Sequence, residues 1–175
     1  MDEKVIELKL CLDKLGGFRM DDFKERIALQ KKIYLMQLSG LDLGYRFNWY
    51  IRGPYSPSLA DVAFDAWNNK DLLDEICLEY ELNQEASEHI DKIKDLIESK
   101  CPLEDDLEHY KWLELLASVH YLKHVAYLTD VNKENKNDLC QKIKSLKPFF
   151  TLEQIEVAWD TLNKWGLIKN KTLKT

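Results

Sequence analysis

The chain lacks the segments that would direct it to a membrane or to the secretory pathway. No apolar run approaches the roughly 20 residues that a membrane-spanning helix needs. The first residues, MDEKVIELKL, are charged and amphipathic, without the apolar stretch of a signal peptide. We therefore expect a cytoplasmic protein with no membrane partner.

Glycine, proline and cysteine are also scarce, with 6, 4 and 4 residues in a chain of 175. The few glycines and prolines are scattered, which excludes a long flexible linker. The cysteines are far apart and form no CxxC pair, so neither a zinc knuckle nor a disulfide framework is expected. We expect them to be small buried or half-buried apolar residues: Cys11, Cys77, Cys101 and Cys140.

Apolar residues are plentiful, at 45% of the chain with 11% aromatic, which is enough for a packed core. We expect a single domain over residues 1–175, with a helix and strand-turn-helix half at 1–100 and a helical half at 101–175. The net charge is +2 in residues 1–60, −12 in 61–130 and +4 in 131–175. An acidic middle argues against broad coating of nucleic acid, although it leaves room for a local basic patch.

The most informative segment is YRFNWYIRGPYSPSLAD, residues 45–61. Its alternation predicts a strand over 46–52 with Phe47, Trp49 and Ile51 on the buried face. The Gly53-Pro54 pair is expected to end that strand. A helix then begins, capped either by Ser56 with Pro57 in the first turn or by Ser58 with Asp61 in a capping box.

Helical patterns account for most of the remaining chain. They predict helices over 3–15, 21–39, 57–69, 83–99, 106–128 and 136–147, and a last one that a Thr151–Gln154 capping box begins. The helix over 106–128 is apolar around nearly its whole circumference, which indicates a buried central helix. Alternation in ICLEYEL, residues 76–82, predicts a second strand that could pair antiparallel with 46–52.

These elements predict a fold that is mainly α with a small two-stranded antiparallel β element. The order of helix, helix, strand-turn-helix and strand resembles a distorted winged helix that is followed by a helical half. We therefore expect a partly winged-helix-like N-terminal half packed on the buried central helix.

Catalytic motifs are not apparent, because serine-nucleophile signatures, phosphate loops and dinucleotide fingerprints are missing. His120 and His124 lie four residues apart and could face one side of a helix, but a metal site needs a third ligand. His109 is about 16 Å away along the helix axis and cannot supply it. We predict no catalytic residue, cofactor or metal, and keep a metal-dependent hydrolase or nuclease near this pair as an alternative.

The candidate binding residues cluster at the turn and on the helix before it. Tyr50 and Tyr55 are expected on the surface as aromatic anchors for another protein. Arg52 could add a charge-assisted contact, form an anion pocket with the amides of 57–60, or tie down the turn. The turn itself and the basic side of helix 21–39 complete the candidate surface: Gly53, Pro54, Ser56, Lys24, Arg26, Lys31 and Lys32.

These residues support a non-catalytic protein–protein interaction module. The alternative is a winged-helix-like nucleic-acid-binding regulator in which Lys24, Arg26, Lys31 and Lys32 contact phosphates. The partner and the oligomeric state are open at this point.

The segment LQKKIYLMQLSGLDLGYRFNWYIRGPYSPSLADVA resembles the YwgA-like family, and more distantly the phage-associated SocA-like domain, also called Panacea. The matching residues are Leu29-Gln30-Lys31, Tyr34-Leu35, Phe47 to Ile51 and Gly53-Pro54-Tyr55-Ser56, and WLELLASVHYL at 112–122 is also similar. The resemblance implies a phage- or defence-associated protein, such as an antitoxin that binds a toxin directly. It brings no catalytic residues with it.

Overall fold

The computed structural model of the chain describes residues 1–104 and 106–170. The fold is mainly α-helical with a small two-stranded antiparallel sheet, as predicted. Internal contacts divide the chain into two compact units, Met1–Glu98 and Ser99–Thr175. Within the described ranges, no helix combines the length and the apolar character that crossing a bilayer requires.

The first unit contains five helices and both strands among its described residues. Side chains at helix starts satisfy the free backbone amides, an arrangement that typically contributes about 1 kcal/mol for each helix. Asp2, Asp22, Ser56 and Asn83 act in this way, and Pro57 occupies the first turn behind Ser56. Ser56 is therefore the cap of its helix and Ser58 is not. The elements are α1 (Glu3–Lys14), α2 (Phe23–Leu38), β1 (Asn48–Tyr50), β2 (Gly53–Tyr55), α3 (Pro57–Asn68), α4 (Lys70–Cys77) and α5 (Gln84–Ile97).

Two packing arrangements build this unit. Helix α1 packs against α3 and α4, where Val5, Ile6, Ala66 and Leu73 form a buried apolar cluster. Helix α2 packs against α5 on one side and β2 on another. Its residues from Ile27 to Met36 are buried with one exception, Lys32, so α2 forms the support for the hairpin.

The chain around the turn forms a tight hairpin that the sequence did not predict. Strand β1 pairs directly with β2, and Tyr50 lies opposite Gly53 across a turn made of Ile51 and Arg52. The predicted strand over 46–52 was thus too long, and Gly53-Pro54 begin the second strand where we expected them to end the first. Gly53 supplies a φ of +84°, while no described residue other than glycine has a positive φ. This pattern fits a turn followed by a left-handed residue, a conformation that favours glycine.

The predicted strand over 76–82 was wrong. Helix α4 covers residues 70–77, and the chain from 78 to 82 forms no regular secondary structure. Leu73, Ile76 and Cys77 follow helical spacing and pack in the cluster with α1, which outweighs the short alternation that suggested a strand. The hairpin, and not a pairing with residues 76–82, therefore accounts for the small sheet.

The second unit contains three helices among its described residues: α6 (His109–His124), α7 (Lys136–Leu146) and α8 (Leu152–Lys164). Every residue of α6 from Trp112 to Lys123 is buried, as predicted from a pattern that is apolar around nearly the whole circumference, although α6 is shorter than the predicted 106–128. The capping box of Thr151 and Gln154 is present at the start of α8.

The cysteines are as predicted in both units. Cys11 and Cys140 are buried, and Cys77 and Cys101 are half-buried. Burial raises the pKa of Cys11 to about 12 and that of Cys140 to about 11, so both thiols stay protonated at neutral pH.

Candidate functional site: an aromatic cleft

Three polar side chains of α2 fix the segment that carries the hairpin. The Gln30 amide forms two hydrogen bonds with the backbone of Ser56, donating to the carbonyl and accepting from the N–H, both at 2.9 Å. Seven residues along the helix, Gln37 does the same with the backbone of Tyr45, at 3.0 and 3.1 Å. Between them, the Lys31 Nζ donates to the Pro54 carbonyl at 2.6 Å. The hairpin is therefore attached to α2 at both ends.

This attachment leaves an open cleft between α2, the hairpin and α3. We call it the aromatic cleft and define it by seven of its lining residues: Phe23, Arg26, Tyr50, Ile51, Arg52, Tyr55 and Phe64. Its volume is about 310 Å³. Four of these side chains are large and strongly exposed, with exposed fractions of 54% for Phe23, 46% for Tyr50, 94% for Ile51 and 41% for Phe64.

Aromatic rings and guanidinium groups are in direct contact around the cleft. The Tyr50 and Tyr55 rings meet edge to face with centroids 5.1 Å apart. The Arg52 guanidinium lies 5.5 Å from the centre of the Phe23 ring, and that of Arg26 lies 6.0 Å from it. Arg26 also donates to the Met20 carbonyl at 2.8 Å, which fixes its position. These contacts hold the rings in place before any partner binds.

The two arginines differ in the partners that they already have. Arg26 uses one nitrogen for the Met20 carbonyl. Arg52 stacks on Phe23, and no carboxylate in the described part of the chain forms an ion pair with it. Arg52 therefore neither joins a local carboxylate nor completes a salt bridge that would tie down the turn, and its charge is available at the edge of the cleft.

The structure brings some of the predicted binding residues together and separates others. Tyr50, Arg52 and Tyr55 all line the aromatic cleft. Gly53 and Pro54 are buried in β2, and Ser56 is buried as the cap of α3, so these three shape the cleft without facing a partner. Of the residues predicted at the turn, Tyr50, Arg52 and Tyr55 thus lie together around one cleft, whereas the other three are buried.

The basic side predicted for helix 21–39 is not one surface. Lys31 is only 1% exposed and is bound to Pro54, so its prediction as a surface phosphate or partner contact was wrong. Lys32 lines a different cleft, and Lys24 is exposed in the first turn of α2 outside the aromatic cleft. The described residues therefore offer no continuous row of lysines along α2 for the nucleic-acid alternative.

The sequence prediction missed three residues of the cleft. Phe23 and Phe64 were not among the predicted surface residues, and Ile51 was expected on the buried face of a strand. Phe64 is an aromatic residue that lies outside the apolar positions Leu59, Ala63 and Ala66 of α3. Its displacement from that helix face is the signal that could have identified it.

A second, polar cleft of about 530 Å³ lies beside α1, α2 and α4. Lys9 is buried there and forms ion pairs with Asp13 and, at 2.8 Å, with Asp74. Burial lowers the pKa of Lys9, but the hydrogen bonds with both carboxylates outweigh it and leave the pKa raised. Lys70 also pairs with Asp74 at 2.8 Å. The charges neutralise one another, and the network links α1 to α4.

The histidine pair of α6 is present, but it does not form a metal centre with the residues described. The His120 and His124 rings are 5.0 Å apart, and His124 Nε2 accepts a hydrogen bond from the Lys169 amide at 3.1 Å. Burial lowers the pKa of His120 to about 3. Across residues 1–104 and 106–170, no group of three or more His, Cys, Asp and Glu side chains could hold an ion.

Comparisons of the chain with protein-family models, with curated proteins and with solved structures give no match. The chemistry of the cleft must therefore be inferred from its own residues. Its lining combines an apolar floor, rigid aromatic rings and two guanidinium groups, which suits the binding of an apolar side chain with a neighbouring negative charge.

Proposed function

We propose that this protein is a non-catalytic interaction module that binds a segment of another protein in the aromatic cleft. The segment would insert an aromatic or branched aliphatic side chain into the cleft and place an acidic residue against Arg52. Tyr50 and Tyr55 would act as rigid anchors around the inserted side chain.

The observation that carries this proposal is the grouping of four exposed large apolar side chains around one cavity. Soluble proteins leave single apolar residues on the surface, but a cluster of them next to a concave site typically marks a binding surface. Phe23, Tyr50, Ile51 and Phe64 form such a cluster. A volume of about 310 Å³ is near the lower end of ligand pockets, which span about 300–1,000 Å³, and fits one or two side chains.

Charge defines the partner further. Arg26 and Arg52 are the exposed or half-buried cations that line the cleft, the buried Lys31 beside them is bound to the Pro54 carbonyl, and none of the lining residues is a carboxylate. A guanidinium can bind a carboxylate through two parallel hydrogen bonds while its flat face remains stacked on an aromatic ring. An acidic residue beside the apolar anchor would therefore be favoured, and a lysine or arginine there would be repelled.

The resemblance to the YwgA-like and Panacea families supports a more specific version of this role. In that version the partner is a toxin or another phage-defence component in the cytoplasm, and binding in the cleft neutralises it or recruits it. The GPYS segment, which carries much of the resemblance, forms β2 and the cap of α3, and its Tyr55 lines the cleft. The same residues thus underlie the resemblance and the cleft geometry.

A displayed library of random peptides tests the proposal without knowledge of the natural partner. We expect selection against the full chain to enrich peptides with an apolar anchor next to Asp or Glu. Tyr55→Ala should weaken binding of a selected peptide by about tenfold or more, the effect of losing roughly 1.4 kcal/mol at an anchor residue. Calorimetry with the synthetic peptide measures this change.

Tyr127→Ala is the matched control, because Tyr127 is 91% exposed and lies outside the cleft. It should leave peptide affinity unchanged, and circular dichroism should show both variants folded. The proposal is wrong if no peptide is enriched, or if a selected peptide binds Tyr55→Ala as tightly as the unaltered chain.

A further inference from the structure

The segment that follows α4 leaves large apolar side chains in solvent next to negative charges. We call residues 78–82, Leu-Glu-Tyr-Glu-Leu, the acidic segment. Leu78 is 86% exposed and Tyr80 is 54% exposed. Glu79 and Glu81 are also exposed, and no cation in the described part of the chain forms an ion pair with either. The segment therefore carries apolar surface and charge that the described chain does not use.

The acidic segment has the composition that the proposed function expects of a ligand for the aromatic cleft. It presents a leucine and a tyrosine as apolar anchors, and each has a glutamate as its neighbour. The cleft presents the complementary features, an apolar cavity with Arg26 and Arg52 at its edge. Apolar contact and opposite charge would thus act in the same interface, and the charges would fix its register.

The cleft and the acidic segment belong to different surfaces of the same unit. The lining of the cleft comes from α2, the hairpin, α3 and the residue Met20, and includes no residue from 78–82. Since the segment does not occupy the cleft of its own chain, a second copy of the protein is the source from which the cleft could receive it.

We propose that the aromatic cleft of one copy binds the acidic segment of a second copy, with Tyr80 or Leu78 in the cavity and Glu79 or Glu81 against Arg52. The contact joins two different surfaces, so it is heterologous. It also makes self-association compete with partner binding for the same cleft. This inference rests on the proposed function of the aromatic cleft.

Sedimentation velocity over a range of concentrations tests the proposal with two variants of the full chain. The cleft variant carries Arg52→Glu and Tyr55→Ala, and the segment variant carries Leu78→Ser and Tyr80→Ser. We expect the average mass of the unaltered chain to rise with concentration, whereas each variant alone stays monomeric. An equimolar mixture of the two variants should recover a dimer, because one supplies an intact cleft and the other an intact segment.

Phe149→Ser is the control for non-specific association, because Phe149 is 98% exposed and belongs to neither surface. This variant should associate as the unaltered chain does. The inference is overturned if the unaltered chain stays monomeric at all concentrations, if the segment variant associates normally, or if the mixture forms no dimer.

The outcomes separate this inference from the proposed function. If selected peptides bind in the cleft but the unaltered chain stays monomeric, the cleft serves other proteins and self-association is refuted. If the chain associates through the acidic segment but no peptide is enriched, the cleft binds copies of this chain and the role as a module for other proteins falls.

Discussion

Replacing Gln30 with leucine should weaken the attachment of the hairpin to α2 and lower the free energy of unfolding. Gln30 is 4% exposed, and its amide is the partner of both backbone groups of Ser56. Leucine has a similar size, so the substitution removes the hydrogen bonds without opening a large cavity. The variant thus isolates the contribution of the two bonds.

The two backbone groups of Ser56 are affected differently. The Ser56 carbonyl also accepts from the Ala60 amide at 3.1 Å, so it keeps one partner in the variant. Losing its bond to Gln30 should lower the free energy of unfolding by about 0.5–1.5 kcal/mol. The Ser56 N–H has Gln30 as its bonding partner, and a buried donor left without one costs about 1–3 kcal/mol. We expect a total loss of about 1.5–4.5 kcal/mol in the free energy of unfolding.

Gln37→Leu provides the matched control on the same helix. Gln37 forms the same pair of hydrogen bonds with Tyr45, but its side chain is half-buried, so water can replace part of them. We expect a loss of about 1 kcal/mol, within the usual range for a partly exposed hydrogen bond.

Urea denaturation followed by circular dichroism measures both losses, and hydrogen exchange over residues 45–60 shows whether the hairpin region opens. Gln30→Leu should accelerate exchange at Ser56 more than Gln37→Leu does. A loss below about 1 kcal/mol for Gln30→Leu, or equal losses for the two variants, would contradict the assignment of Gln30 as the main attachment.

Two further predictions concern the second unit. Glu114 and Lys147 form an ion pair at 3.2 Å, and both side chains are 5% exposed. Lys147→Met should therefore lower the free energy of unfolding by about 3–5 kcal/mol, and adding Glu114→Leu should recover most of that loss in thermal melts. Equal melting temperatures for the single and double variants would refute this. Burial lowers the pKa of His120 from its ordinary 6.5 to about 3. Below neutral pH the unfolded chain therefore binds more protons than the folded chain, so the free energy of unfolding should fall as the pH decreases from about 6.5 towards 3. His120→Gln should reduce that slope in urea titrations at successive pH values, and an unchanged slope would show that His120 is not responsible.

Local sequence signals predicted every described helix except α4, because each signal acts over a few neighbouring residues. Thr151 caps α8 in the expected capping box, and Ser56 with Pro57 begins α3, one of the two starts predicted for it. The apolar run in α6 predicted its burial, because a helix without a polar face has no side to expose. None of these conclusions depends on contacts between distant residues.

The strand predictions failed where local alternation had to compete with tertiary contacts. Residues 76–82 alternate as a strand does, but Leu73 and Ile76 gain more by packing helically against α1. Ile51 was expected on a buried face, yet it occupies the turn because β1 ends at Tyr50. A pattern of three or four alternating residues does not specify its own pairing partner.

By itself the sequence determined the fold class, the capped starts of α3 and α8, and the burial of the cysteines. Those properties follow from spacing, capping and composition, which are local. Only the tertiary structure decided that Lys31 is buried against Pro54, that Phe23 and Phe64 join Tyr50 and Tyr55, and that Arg52 stacks on a ring. The reason is that a cleft is made by elements far apart in the chain, and their meeting depends on how α2 holds the hairpin.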